Sequence, residues 1–185
     1  HPPPPKHSFP TRRSSDLSEL GCTVDDLSAH LSIDCGDSPT SIAEASFYQE
    51  QWRQVLGIEV AVNSMITKQG SQNRKTGNYV MSITGWGPDY NDPNTFLDMW
   101  VTDGGNNQTG FSNERYDELI DLAAKETDLE KRESYFIECE QIIADQLPIG
   151  PSFWRAPSYA CSDKIKGGMH RSTFQDINAV YVKLS

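Results

Sequence analysis

Residues 38–84 read SPTSIAEASFYQEQWRQVLGIEVAVNSMITKQGSQNRKTGNYVMSIT, and their periodicity decides the fold class. Apolar residues at Ile42, Ala45, Tyr48, Trp52, Val55 and Leu56 recur at intervals of three and four, placing one apolar stripe on a helix. Ser38-Pro39-Thr40-Ser41 offers a hydroxyl to accept from the orphan N–H groups of the first turn, and Gly57 supplies a stop where positive φ is tolerated. Ile58–Val62 alternates β-branched residues with period two and reads as a strand. Met65–Lys75 is polar and reads as a surface helix closed by Gly77. Tyr79–Thr84 is a second β run. Helix, strand, helix, strand in this order predicts an α/β layer with parallel pairing.

Outward from this core, Leu27–Ile33 alternates weakly and reads as an entering strand. Downstream, Pro93 suits the first position of a helix carrying Phe96, Leu97, Met99 and Trp100. Thr102–Ser112 is rich in turn formers. Asn113–Lys125 and Asp128–Gln146 read as two helices capped by Asn113 and Asp128, the second broken by Leu147-Pro148. A β-rich tail follows from Phe153.

The 185-residue chain carries a formal net charge of -10, with hydrophobic residues at 36%. Clustered Lys and Arg for a phosphate backbone are absent, which argues against nucleic acid, and the acidity argues against anionic lipid. No run approaches the roughly 20 apolar residues that span a bilayer. Cys22, Cys35, Cys139 and Cys161 form neither a CxxC pair nor zinc-ligand spacing. They read as scattered buried thiols, with a Cys22–Cys35 disulfide as the alternative in an oxidising compartment. There is no P-loop, HExxH or nucleophile elbow. The expectation is therefore no metal, no cofactor and no catalytic residue.

The opening His1–Leu17 is proline-rich and lacks an apolar core for a signal peptide. His7–Leu17 (HSFPTRRSSDL) coincides with the translation of a common short-read sequencing adapter. Residues 1–17 are accordingly expected to be a non-native, disordered leader. Lys6, Arg12 and Arg13 against Asp16 give this leader +2, leaving -12 on the remainder.

The motif carrying the chemistry is Gly85-Trp86-Gly87-Pro88-Asp89-Tyr90-Asn91-Asp92-Pro93, just past the end of a predicted strand. Ligands of open α/β sheets bind in that crevice. Asp89 reads either as a turn former or as a ligand contact, and Trp86 either as core or as a flat wall for a cation or peptide plane. Tyr90 and Asn91 are weaker candidates, and Asp92-Pro93 reads as helix-start chemistry.

Gly85, Trp86, Asp89, Tyr90, Asp92, Pro93 and Phe96, in that order, resemble the family 5 extracellular solute-binding proteins, the oligopeptide and dipeptide receptors of ABC importers. Phe111-Ser112-Asn113 before Tyr116-Asp117, Leu147-Pro148-Ile149 with Pro151 and Trp154, and Gly167-Gly168 follow the same pattern. The resemblance covers about residues 19–185. It implies the two-lobed periplasmic-binding-protein type II fold with only the C-terminal part present. Residues 18–152 would form part of one lobe, and 153–185 would return to the other, mostly absent lobe. It also implies a monomeric extracytoplasmic receptor, reaching the membrane only through a missing N-terminal anchor. Its partners would be a small peptide and the permease subunits of the importer, and its expected ligand-binding residues are Asp89, Trp86, Gly87, Tyr90 and Asn91. By the resemblance, Asp89 pairs with the peptide's α-ammonium. Some relatives carry a basic residue three positions before the Trp; here that position is Ile83, so a carboxylate partner from this strand is missing. The alternatives are another solute (a sugar, nickel or haem) on the same scaffold, or a carbohydrate-active domain.

Overall fold

The computed structural model describes residues 21, 23–154, 162–166, 170–171, 177–178 and 183–184. The expected leader 1–17, Cys22, Cys161 and Gly167-Gly168 lie outside the described residues. The chain divides into two compact units, residues 1–84 and 85–185.

The first unit opens with helix α1 (Val24–Ser28), where a strand was expected from Leu27. The reason is a capping box: Thr23 Oγ1 accepts from the Asp26 amide, and the Asp26 carboxylate accepts from the Thr23 amide. Strand β1 (Ser32–Gly36) follows, then α2 (Pro39–Leu56), β2 (Ala61–Met65), α3 (Thr67–Thr76) and β3 (Met81–Ser82). Ser38 caps α2 by accepting from the Ser41 amide, and Gly57 ends it at φ 70°. Gly77 ends α3 at φ 69°.

The sheet has the order β2-β1-β3, and both pairings are parallel. Ser32 to Gly36 pair in register with Ala61 to Met65, so β2 begins three residues later than the Ile58 expected. Ile58–Val60 is instead the approach to the sheet. There the Glu59 amide donates to Ser28 Oγ, and Val60 is buried. β3 is shorter than the expected Tyr79–Thr84, although the Ile83 amide still donates to the Asp34 carbonyl.

Because β2 and β3 flank β1 on opposite sides, connections of one hand put α2 and α3 on opposite faces. Ile33 and Cys35 face α2 and form a core with Ala45 and Val60, edged by Tyr48 and Trp52. Asp34, alternating to the other face, is buried and accepts from the side-chain amides of Asn63 (3.2 Å) and Asn73 of α3 (3.3 Å). A buried carboxylate without such donors would be strongly destabilising.

The second unit opens with the 85–93 loop, followed by the short helix α4 (Asn94–Leu97) and a 3₁₀ turn at Asp98–Trp100. Pro93 precedes the helix as its cap residue, one position earlier than expected. Helices α5 (Glu114–Lys125) and α6 (Leu129–Gln146) form the body. Asn113 and Asp128 cap them by accepting from the Tyr116 and Lys131 amides. The pair runs antiparallel: Arg115 at the start of α5 bridges Glu138, while Ala123 near its end meets Arg132.

Leu97, Tyr116, Leu119, Ile120, Ala123, Phe136, Cys139 and Ile143 are buried together, with Trp100 and Phe111 at the margin. Leu147, at φ 51°, ends α6. The tail holds two antiparallel ladders: β4 (Ile165–Lys166) with β7 (Lys183–Leu184), and β5 (His170–Arg171) with β6 (Ile177–Asn178). Cys35 and Cys139 are buried free thiols. The alternative of a Cys22–Cys35 disulfide rests on Cys22, outside the described residues; burial raises the pKa of both described thiols.

Candidate functional site

The segment Gly85–Pro93 is a tight turn stitched by its own backbone. The Asp89 amide donates to Thr95 Oγ1 at 3.0 Å, and the Asp92 amide donates to the Tyr90 carbonyl at 3.0 Å. The Thr95 amide returns to the Asp92 carbonyl at 3.2 Å. Thr95 is itself almost fully buried, so the hydroxyl that holds Asp89 is fixed by its surroundings.

The two acids of the turn have opposite circumstances. Asp92 is consumed by the chain: Oδ1 accepts from the Asn94 amide, and both oxygens take the fork of Arg132 at 2.7 and 2.9 Å. That bidentate geometry is the strong form of the ion pair. It holds the Asp92 carboxyl below the usual carboxylate range, with the Arg132 hydrogen bonds as the largest cause. Asp89 is exposed, and its carboxylate makes no hydrogen bond or ion pair among the described residues.

Tyr90 is 42% exposed, yet its hydroxyl is engaged, donating to Asp98 Oδ2 at 3.2 Å and accepting from Asn94 Nδ2 at 3.0 Å. Burial leads the causes that raise its pKa. Asn94 Nδ2 also donates to Asp98 at 3.1 Å, while its buried Oδ1 has no partner among the described residues. Trp86 is 42% exposed and makes no ring contact among the described residues, so it is not core. Gly87 has open space where a Cβ would project. Asn91 is exposed and its carboxamide is unpartnered among the described residues.

Of the five expected residues, then, Asp89, Trp86, Gly87 and Asn91 present unoccupied groups or open space on one short loop, whereas the Tyr90 hydroxyl is tied to α4. Sequence reading missed Arg132 and Thr95. Arg132 lies forty residues downstream of its partner in an ordinary charged helix, and nothing local marks it. Thr95 carries a faint signal as a hydroxyl two residues into a short helix.

None of the five lines the depression of about 420 Å³ in the first unit, whose floor includes Asp34, Asn63 and Asn73. The carboxylate there is already satisfied by the two Asn amides. Among the described residues no cluster of three or more His, Cys, Asp or Glu is arranged for a metal.

The family profile of "Bacterial extracellular solute-binding proteins, family 5 Middle" matches residues 15–108, just over half of the chain. The oligopeptide-binding protein OppA of Bacillus subtilis is 32% identical over 159 residues, covering 82% of this chain and 28% of the relative. The dipeptide-binding protein of Lactococcus lactis is 31% identical over 173 residues, covering 90% of this chain and 31% of the relative. Among solved structures, peptide-bound OppA of Listeria monocytogenes superposes with a TM-score of 0.76 at 30% identity, over 92% of this chain and 32% of that one. An oligopeptide ABC transporter substrate-binding domain from Bacillus anthracis gives a TM-score of 0.79 at 25% identity, over 92% of this chain and 33% of that one. The chain spans less than a third of the length of the curated relatives just named. The α/β fold is that of the type II periplasmic binding proteins. With the profile match covering the Gly-Trp loop and both of its acids, this chain belongs to the family 5 bacterial extracellular solute-binding proteins.

Proposed function

We propose that the chain is the C-terminal part of a two-lobed extracytoplasmic receptor that binds small peptides and delivers them to the permease subunits of an ABC importer. Residues 18–152 belong to one lobe and 153–185 return toward the other. The receptor acts as a monomer and performs no chemistry on its ligand. It is periplasmic or held at the cell surface by a lipid anchor.

One observation carries the ligand assignment. In a turn with two acids, the chain neutralises Asp92 and leaves Asp89 without a partner among the described residues. A peptide entering a closing cleft buries its α-ammonium, which demands a counter-charge. Asp89 supplies it, with Trp86 as a flat wall, Gly87 leaving room for the ligand backbone, Asn91 offering a carboxamide, and Tyr90 bordering the site. The same sorting weakens the carbohydrate-active alternative, because a glycosidase needs two available carboxylates flanking one bond.

The test is calorimetry on the two-lobed receptor with mixed tripeptides and the same mixture N-acetylated. Asp89→Asn is expected to weaken binding of the free-amine peptides by about 2 kcal/mol or more and to leave the acetylated ones unchanged. Equal affinity of the native receptor for both mixtures overturns the anchor.

A further inference from the structure

We infer that Arg132 and Thr95 are positioning residues for the ligand carboxylate at Asp89, an inference that rests on the peptide-anchor reading above. Among the described residues the Asp89 carboxylate has no partner, so its aim follows the backbone that carries it. Two side chains from beyond the turn hold that backbone on either side of Tyr90 and Asn91. Thr95 Oγ1 takes the Asp89 amide directly. Three residues on, the Arg132 fork holds Asp92, whose Oδ1 also closes the Asn94 amide.

Arg132 is more constrained than an ion pair requires. Its Nε donates to the Ala123 carbonyl at 3.0 Å, and its guanidinium lies 4.6 Å over the Phe136 ring. One planar cation thus fastens the ligand loop, the end of α5 and the core face of α6 at a single point. Its side chain is only 24% exposed, so water competes weakly for these bonds. A lysine in its place keeps the charge but loses the fork, the Nε donor and the stacked plane. The loop then loses its tie to α5 and α6 and keeps only Thr95 and its local contacts with α4, and an anchor displaced by about 1 Å loses much of its charge-assisted geometry.

The experiment reads preference for a free α-ammonium, the ratio of affinities for a tripeptide mixture and its N-acetylated form, in the two-lobed receptor. Asp89→Asn abolishes the preference. Arg132→Lys and Thr95→Val each reduce it by about tenfold, equivalent to about 1.4 kcal/mol, while Thr95→Ser restores it. In an Asp89→Asn background, Arg132→Lys changes neither affinity further. A structural role alone lowers the melting temperature and both affinities together; that outcome, or an unchanged ratio in both Arg132→Lys and Thr95→Val, overturns the inference. If Asp89→Asn removes the preference and these two variants do not, only the positioning role fails. If Asp89→Asn leaves the preference intact, the anchor and the positioning role fall together. Should Arg132→Lys fail to fold, the Thr95→Val and Thr95→Ser pair decides alone.

Discussion

Tyr116→Phe removes one oxygen from the centre of the second unit and nothing else. Tyr116 is fully buried on α5, and its hydroxyl donates to the Leu97 carbonyl, at the end of α4, over 2.7 Å. The ring stays in place: its edge-to-face contact with Phe111, at 5.4 Å and 88°, survives the substitution. The Leu97 carbonyl, in a residue only 7% exposed, loses its side-chain donor and keeps the backbone bond that opens the 3₁₀ turn at Asp98–Trp100. Losing one such buried hydrogen bond costs about 1 kcal/mol.

Trp100 borders the same core, so replacing Trp52, Trp86 and Trp154 by Phe leaves one fluorophore reporting on this unit. Urea unfolding followed at Trp100 should show the midpoint falling by about 0.5 M at an unchanged slope of about 2 kcal/mol/M. A second readout follows from the hydroxyl itself, since burial pushes its pKa far above the ordinary value of 10.0. A raised pKa favours the folded state at pH values below the unfolded one, and that contribution is lost as pH rises past it. The stability gap between native Tyr116 and the Phe variant should accordingly narrow above pH 10.0. A Phe variant indistinguishable from the parent at neutral pH would refute the reasoning, because the Tyr116 hydroxyl would then contribute nothing net through the Leu97 carbonyl.

Two further outcomes are expected. Burial pushes the Cys139 thiol up to about 11 and raises Cys35 as well. In a Cys22→Ser/Cys161→Ser background, a disulfide reagent at pH 8 should therefore label neither thiol faster than the chain unfolds; rapid stoichiometric labelling contradicts this. Gly57→Ala forces a side chain onto φ 70°, with nothing within 4 Å to clash, so the penalty is purely backbone. It should cost about 1 kcal/mol in urea titrations, and an unshifted midpoint rules out the left-handed cap.

Helix ends were the most legible part of the fold, because caps are local chemistry. Ser38, Gly57, Gly77, Asn113 and Asp128 all act where their residue types place them. Strand ends were less legible, because ladders are decided by the partner strand. Ile58 and Val60 have the right alternation, but β1 begins only at Ser32, so pairing cannot start before Ala61. The entering segment was misread because the Thr23–Asp26 capping box, which turns residues 24–28 into a helix, outweighs a weak alternation. At the candidate site, the motif marked one loop and set Asp92 at the helix start, but it could not show what occupies either carboxylate. Their difference is made by Arg132, a contact across forty residues that no window of local pattern contains.

The division of labour between the two acids also bears on how such a receptor changes its tastes. Among the described residues, no helix start, no ion pair and no core contact depends on the Asp89 carboxylate. A substitution there meets little resistance from these contacts and, under the proposed anchor role, alters what is recognised. Position 92 is the reverse, since a side chain without a carboxylate there leaves the Arg132 fork without its acceptor. Under the proposed anchor role, variation is permitted where it rewrites selectivity and penalised where it would release the loop from Arg132. Descendants of one such scaffold could then diverge in diet by single steps at position 89 while keeping their fold.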